Sequence, residues 1–164
     1  MQICRTIAEI RAAVTLMHTT GSVGLVTTMG ALHAGHMALV AAASVHPNVV
    51  VTIFVNPTQF ENIYDLDQYP RTENADLGML EKAGVAAVFI PTVADIYPDG
   101  AQTIVETTNL ADILHGMVRP GHYRGVATVV TKLFNIIGAD AAYFGEKDYQ
   151  QLAVIRTMVR DLHT

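Results

Sequence analysis

Val49-Val-Val-Thr-Ile-Phe-Val55 is the stretch on which the fold turns. A strand with one wet face alternates polar and apolar residues. An almost unbroken β-branched apolar run is what a strand needs when both faces are covered in a parallel sheet, so this segment is expected at the sheet's centre. Upstream, Val23–Thr28 is a second apolar run ending at Met29-Gly30, and His36–Val45 is Ala-rich with Leu39 and Val40 among its apolar positions: strand, loop, helix. Before it, Thr6 and Glu9 have the spacing of a capping box, and Ile7, Ile10, Val14 and Met17 follow at helical period up to Gly21, so the chain is expected to begin with a helix. Downstream, Ala75–Ala83 reads as a helix stopped by Gly84, Val85–Ile90 as a buried strand, Val126–Ile137 as an apolar helix, Ala141–Phe144 as a strand and Asp148–Leu162 as a last helix. Ile104–Glu106 fits a short strand, Leu110–Leu114 a short helix and Arg119–Gly125 a Gly/Pro-bounded loop. Asn56–Arg71 matches neither period and is expected to be a long functional loop.

Strands alternating with helices imply an α/β fold, a doubly wound parallel sheet with helices on both faces, whose ligands bind outside the carboxyl ends of the strands. Three of those ends run into polar loops, Thr28-Met29-Gly30, Asn56-Pro57-Thr58-Gln59 and Gly145-Glu146-Lys147-Asp148, which are expected to meet at one crevice. A length of 164 residues fits one domain with one core. Charged residues are 15% of the chain against roughly 25% in an average soluble domain, which excludes disorder. No apolar run approaches the ~20 residues of a membrane span. Arg5, Glu9 and Arg11 break any secretory signal. Cys4 stands alone, so no intrachain disulfide forms, as in a reducing cytosol. A net charge of −5 argues against a broad nucleic-acid footprint and for a small-molecule partner, with room for a local basic site that takes an anion.

Four constellations carry chemistry. In Thr27–His36 (TTMGALHAGH), His33 and His36 stand three apart at a loop-to-helix transition, near free N–H groups at the positive end of a helix, and Gly30 and Gly35 allow close approach of a ligand. The same two imidazoles also read as a loop cap and an ordinary helix-start residue. The spacing is not that of a zinc helix, so no metal ligand is assigned. In Phe54–Phe60 (FVNPTQF), Asn56 and Gln59 are neutral amides suited to orienting a hydroxyl or carboxylate, or equally an Asn-Pro turn with a surface Gln. In Tyr143–Gln151 (YFGEKDYQQ), Asp148 and Gln151 fit a helix cap with a reciprocal amide, whereas Lys147 is placed to neutralise phosphate charge. His115–Val126 (HGMVRPGHYRGV) supplies Arg119, Arg124 and two more imidazoles, a basic rim or a solvated loop.

Taken together, TMGALHAGH, IFVNPTQF, YPRT (Tyr69–Thr72), IYPDG (Ile96–Gly100), RPGHYRGV and FGEKDYQQL resemble, in order and across nearly the whole chain, the motifs of the pantothenate synthetases (pantoate beta-alanine ligases) of the HIGH-motif nucleotidylyltransferase superfamily. The resemblance implies a Rossmann-like, three-layer α/β/α domain that activates (R)-pantoate with ATP and Mg2+ to pantoyl adenylate, from which the amine of beta-alanine displaces AMP. It assigns ATP binding to Met29, Gly30, Ala31, Leu32, His33, Ala34, Gly35 and His36 and to Gly145, Glu146, Lys147 and Asp148. Catalysis falls to His36 as proton donor, His33 as its phosphate-contacting partner, and Lys147. Gln59, Gln151 and the neighbouring amide Asn56 form the pantoate and beta-alanine group. A cytoplasmic homodimer is implied, without nucleic-acid or membrane partners. Thr27 stands where the family usually has Pro and Thr58 where it usually has Met. The family continues beyond this point into another strand, a Ser-rich M-S-S-R-N loop and a smaller C-terminal lid domain; residues 1–164 carry only the first domain, so binding with slow turnover is the expectation for this stretch. Another nucleotidylyltransferase of the superfamily is opposed by N-P-T-Q-F and Y-P-R-T, while a non-catalytic nucleotide-binding or dimerising module has the same residues.

Overall fold

In the computed structural model, which describes Met1–Thr164, the chain runs through Gln2–Cys4 (β1), Ile7–Met17 (α1), Val23–Thr28 (β2), Ala34–Ala43 (α2) and Asn48–Ile53 (β3). Ile63–Gln68 (α3), Glu73–Lys82 (α4), Ala87–Phe89 (β4), Val93–Ile96 (α5) and His115–Val118 (α6) follow. His122–Ile137 (α7), Ala141–Tyr143 (β5) and Tyr149–Leu162 (α8) close the chain. All pairings are parallel, in the order β1-β4-β3-β2-β5, with β3 at the centre. The path steps from β2 to β3 to β4 in one direction and then returns to add β5 on the far side of β2. That reversal opens a crevice at the carboxyl ends of β2 and β5.

The unbroken apolar run of β3 is explained by its two faces. Val50 joins Val23, Leu25, Ala87 and Phe89 in a core closed by Ile10 and Val14 of α1, Val126 and Val130 of α7, and Val154 and Met158 of α8. Val49, Val51 and Ile53 point the other way and meet Val26, Val88, Val40 of α2 and Leu80 of α4. The result is the expected three-layer sandwich. Each fully buried Val or Leu contributes about 1.5–3 kcal/mol, which is why a sheet this narrow tolerates few polar positions. Helix α1 begins with the expected capping box: Thr6 Oγ1 accepts from the Glu9 N–H at 3.2 Å and the Glu9 carboxylate accepts from the Thr6 N–H at 3.0 Å.

Several elements differ from expectation, each for a local reason. The chain starts with β1, not α1; three residues are too few to show a period, and the strand exists through its pairing with β4. Asn56–Arg71 is not one loop but a 3-10 turn at Pro57–Gln59 followed by α3. Ile104–Glu106 forms no strand, because the Val105 N–H and C=O are both satisfied by the Thr128 hydroxyl of α7, at 3.0 and 3.1 Å. The helix expected at Leu110–Leu114 lies just beyond it, in α6. Helix α7 begins at His122, inside the segment read as a loop. Asp148 precedes α8 but makes no side-chain cap bond, so the expected cap with Gln151 is absent.

Gly125 explains the misread start of α7. It is a helical residue at which a Cβ would stand 2.6 Å from the Thr58 carbonyl oxygen and 2.9 Å from the Gln59 nitrogen. The missing side chain lets α7 touch the backbone of the turn after β3. Gly125→Ala is therefore expected to cost about 2 kcal/mol through overpacking against rigid backbone, read by denaturant unfolding, and to displace the Pro57–Gln59 turn.

Candidate active site

The loop after β2 is bent by two consecutive left-handed residues, Gly30 (φ 83°) and Ala31 (φ 51°). For Ala31 that conformation is unfavourable by roughly 1–2 kcal/mol. What holds it is Asp76 of α4, 1% exposed: its two oxygens accept the N–H groups of Ala31 and Leu32, each at 2.9 Å, and one also accepts the Thr72 hydroxyl at 3.1 Å. No cation pairs with this carboxylate. Two of the loop's N–H groups are thus spent on the protein's own anion.

Helix α2 then starts at a histidine cap. His33 Nδ1 accepts from the Gly35 N–H at 3.1 Å, His36 Nδ1 accepts from the His33 N–H at 3.4 Å, and the rings lie 4.1 Å apart. The capping reading of these imidazoles is therefore real. It also has a chemical consequence: an Nδ1 that accepts leaves the proton on Nε2, so each ring keeps a donor for a ligand. The Ala34 N–H finds no acceptor within the protein, whereas the His36 N–H closes the capping box on the His33 side chain. Burial pushes His36 below the ordinary imidazole value of 6.5, helped by the charges of His33 and Lys147 and opposed by Asp76.

At the other strand ends, Met29, Gln59, Lys147, Asp148 and Gln151 line one cavity of about 800 Å3. That is a size suited to a nucleotide-scale ligand. Lys147 is exposed and has no ion pair. The two adjacent glutamines divide their work. Gln150 is fully engaged, donating to the Leu110 and Ile113 carbonyls at 3.0 and 2.6 Å and accepting from the His115 N–H and the Tyr123 hydroxyl, while Gln151 is left facing the cavity. Asn56 is not part of the lining; it is 1% exposed and lies behind Gln59. Of the residues expected to bind ATP, Gly30, Ala31, Leu32, His33, Ala34, Gly35, His36, Gly145 and Glu146 are also outside the lining, with His36 within electrostatic reach of Lys147.

The cavity also holds residues the sequence left undecided. Arg119, His115 and His122 belong to its wall, and Arg124 does not. His122 Nδ1 donates to the Gln59 carbonyl at 2.8 Å, and burial, the largest influence, lowers its pKa from 6.5. Tyr69 and Tyr123 complete the aromatic wall. Their positions follow from the turn after β3 packing on α7, which no local pattern announces. A second cavity, about 770 Å3, runs along the outer edge of β5 and contains none of the candidate residues.

The sequence family described as pantoate-beta-alanine ligase matches residues 2–164. The chain belongs to the pantoate-beta-alanine ligase family. It is 53% identical to the pantothenate synthetase of Acidobacterium capsulatum over 99% of this chain and 58% of that protein, and 54% identical to that of Ruegeria pomeroyi over 98% and 57%. Among solved structures it is similar to the pantothenate synthetase of Thermus thermophilus (TM-score 0.94, 48% identity, 99% of this chain and 58% of that one). The pantoate-beta-alanine ligase of Francisella tularensis, solved in complex with beta-gamma ATP and beta-alanine, is similar with a TM-score of 0.95 at 41% identity, over 99% of this chain and 63% of that one. The chain thus spans less than two thirds of each of these relatives. The segments after β2, β3 and β5 lie at the carboxyl edge of the sheet.

Two outcomes follow from this geometry. Asp76→Asn replaces one acceptor by an NH2 that faces a buried N–H, so stability should fall by about 2 kcal/mol, with faster hydrogen exchange at Ala31 or Leu32. The second concerns acid. Above 6.5, His36 and His122 are neutral in both folded and unfolded chains; below it the unfolded chain takes up their protons first, so stability falls with pH. The carboxylates held low, Glu9, Glu73 and Asp95, add their loss only below 4.5. Melting temperature should therefore decline from about pH 7 to about pH 5, and less steeply in the double variant His36→Gln, His122→Asn.

Proposed function

We propose that residues 1–164 form the ATP- and pantoate-binding domain of a ligase that condenses (R)-pantoate with beta-alanine. The observation that carries this reading is the meeting of Gln59, Gln151, Met29, Lys147 and Asp148 in one cavity at the point where the sheet reverses. The pantoate carboxylate attacks the α-phosphorus of ATP, forming pantoyl adenylate and releasing pyrophosphate. The amine of beta-alanine then attacks the acyl carbon, the amide bond forms, and AMP leaves with the bonding electrons of the acyl–oxygen bond; the amine gives up its proton.

The chain's groups divide between these two steps. Met29–His36 and Gly145–Asp148 enclose the nucleotide, with the Nε2–H donors of His33 and His36 and the ammonium of Lys147 directed at its phosphates. Charge at a crowded phosphorus centre is stabilised by such preorganised donors more than by covalent chemistry. Gln59 and Gln151 hold pantoate, and Asn56 supports Gln59 from behind. Amide formation then depends on holding the amine against the activated acyl group. Magnesium would enter with the nucleotide substrate and offset its phosphate charge, since no three His, Cys, Asp or Glu side chains come together here to hold the ion. The same reading includes a cytoplasmic homodimer; no helix here is long and apolar enough to cross a membrane.

Calorimetric titration with ATP, pantoate and a non-hydrolysable pantoyl adenylate mimic tests it. Binding of ATP and of the mimic is expected, and a mimic that does not bind overturns the ligase reading. Because polyphosphate favours a protonated His36 whose pKa is otherwise held low, ATP binding near pH ~7 should take up a fraction of a proton, seen as a dependence of heat on buffer ionisation. His36→Ala should reduce that uptake and weaken ATP binding while costing no more than about 1 kcal/mol of stability, the scale of a helix cap.

A further inference from the structure

Behind Gln59 lies a set of polar groups that makes no contact with the cavity. Asn56 Nδ2 donates to the Gly125 carbonyl at 3.2 Å and to Gln59 Oε1 at 3.1 Å. Its Oδ1 faces three donors: the Thr58 N–H at 3.3 Å, the Thr58 hydroxyl at 2.9 Å and the Tyr97 hydroxyl at 2.8 Å. Turning this amide over would set its NH2 against the Thr58 N–H and its oxygen against the Gly125 carbonyl, two repulsive contacts at a residue 1% exposed. The polarity passes on. With Oε1 engaged by Asn56, the amide of Gln59 turns its NH2 outward, 3.2 Å from Met29 Sδ, and both Gln59 and Met29 line the cavity.

Tyr97 is itself firmly placed. The Lys132 ammonium donates to the Ile96 carbonyl at 2.7 Å and sits 4.7 Å from the centre of the Tyr97 ring, whose other neighbour is Phe54 at 6.4 Å. Burial keeps the phenol above its ordinary value of 10, so at neutral pH it remains a donor. The Thr58 and Tyr97 hydroxyls stand 3.1 Å apart and meet the same oxygen.

We propose that Tyr97 and Thr58 are positioning residues for substrate recognition: their hydroxyls jointly hold Asn56 so that Gln59 presents a hydrogen-bond donor to the cavity, selecting a ligand with a carboxylate or hydroxyl oxygen at that point. This rests on the reading that pantoate occupies the cavity. The two hydroxyls are redundant, since either alone still gives Asn56 Oδ1 a side-chain donor. Losing one leaves the relay in place; losing both leaves Asn56 Oδ1 with only the long bond from the Thr58 N–H, so that this bond and the Gly125 carbonyl, 3.2 Å from Nδ2, are all that still orient the amide.

The test uses the 164-residue chain carrying Tyr97→Phe, Thr58→Val, or both. Pantoate affinity should drop about twofold in each single variant but about tenfold or more in the double variant, a non-additive loss, with ATP affinity unchanged. In the ligand-free protein, the Gln59 side-chain NH2 resonances should move or divide into two populations in the double variant. An additive loss, an equal loss of ATP binding, or unmoved Gln59 NH2 resonances overturns the proposal. If the double variant does not fold, Tyr97→Phe decides alone, because it keeps the ring and must still shift the Asn56 NH2 resonances. A wild-type chain that binds no pantoate would sink the functional reading, while the ligand-free resonances still decide the relay.

Discussion

β2 and β3 share a six-residue parallel register, from Val23 opposite Asn48 to Thr28 opposite Ile53, and helices close both faces of the pair. Everything chemical in the molecule depends on that burial. A ladder sealed on both sides has no place for a ligand along its length, so polar chemistry is confined to the strand ends. The register also brings those ends level: the Phe54 N–H donates to the Thr28 carbonyl at 3.0 Å, and the Thr28 hydroxyl to the Thr52 carbonyl at 2.7 Å. The loop holding Met29 and the turn holding Gln59 consequently leave the sheet side by side, and β5, pairing with β2, delivers Lys147 beside them.

At that edge the polar groups fall into two kinds. Asp76 and Asn56 are engaged within the protein and lie outside the cavity, and Gln150, though in its wall, spends its amide on the Leu110 and Ile113 carbonyls; they shape the backbone or aim a neighbour. Lys147, Arg119 and Gln151 have no such partners and stand at the cavity. The chain as a whole carries a charge of −5, yet this crevice gathers two cations, Lys147 and Arg119, and the imidazoles of His115 and His122 against the single carboxylate of Asp148. Net charge describes the far field of the protein, whereas an anion is bound by the few cations and N–H groups within a Debye length of it.

Much of this was legible in the order of residues. The apolar run at Val49–Val55, the Thr6–Glu9 box and the helical periods place β2, β3, α1, α4 and α8 nearly where they lie, because these elements are set by their own periodicity and by burial. The losses came where local pattern and tertiary contact disagree. β1 is too short to have a period. Gly121 and Gly125 read as loop, but Gly121 supplies a left-handed start for α7 and Gly125 a close approach of two backbones. Asp148 looked like a cap, and its side chain makes no such bond.

By itself, then, the sequence determined the layered parallel sheet, the three strand ends that carry polar motifs and the residue types available for an anion and an amide-recognised substrate, since each depends on neighbours a few positions away. Only the tertiary structure decided which of two adjacent glutamines is free, that Asn56 stands behind Gln59, that Arg119 and not Arg124 enters the wall, and that Asp76 holds the loop after β2. The hydrogen bonds among them join residues 40 to 69 apart in the chain, Gln150 with Leu110, Asp76 with Ala31 and Leu32, and Asn56 with Gly125. A buried donor or acceptor must find a partner wherever folding brings one, and its spacing along the chain carries no record of that choice.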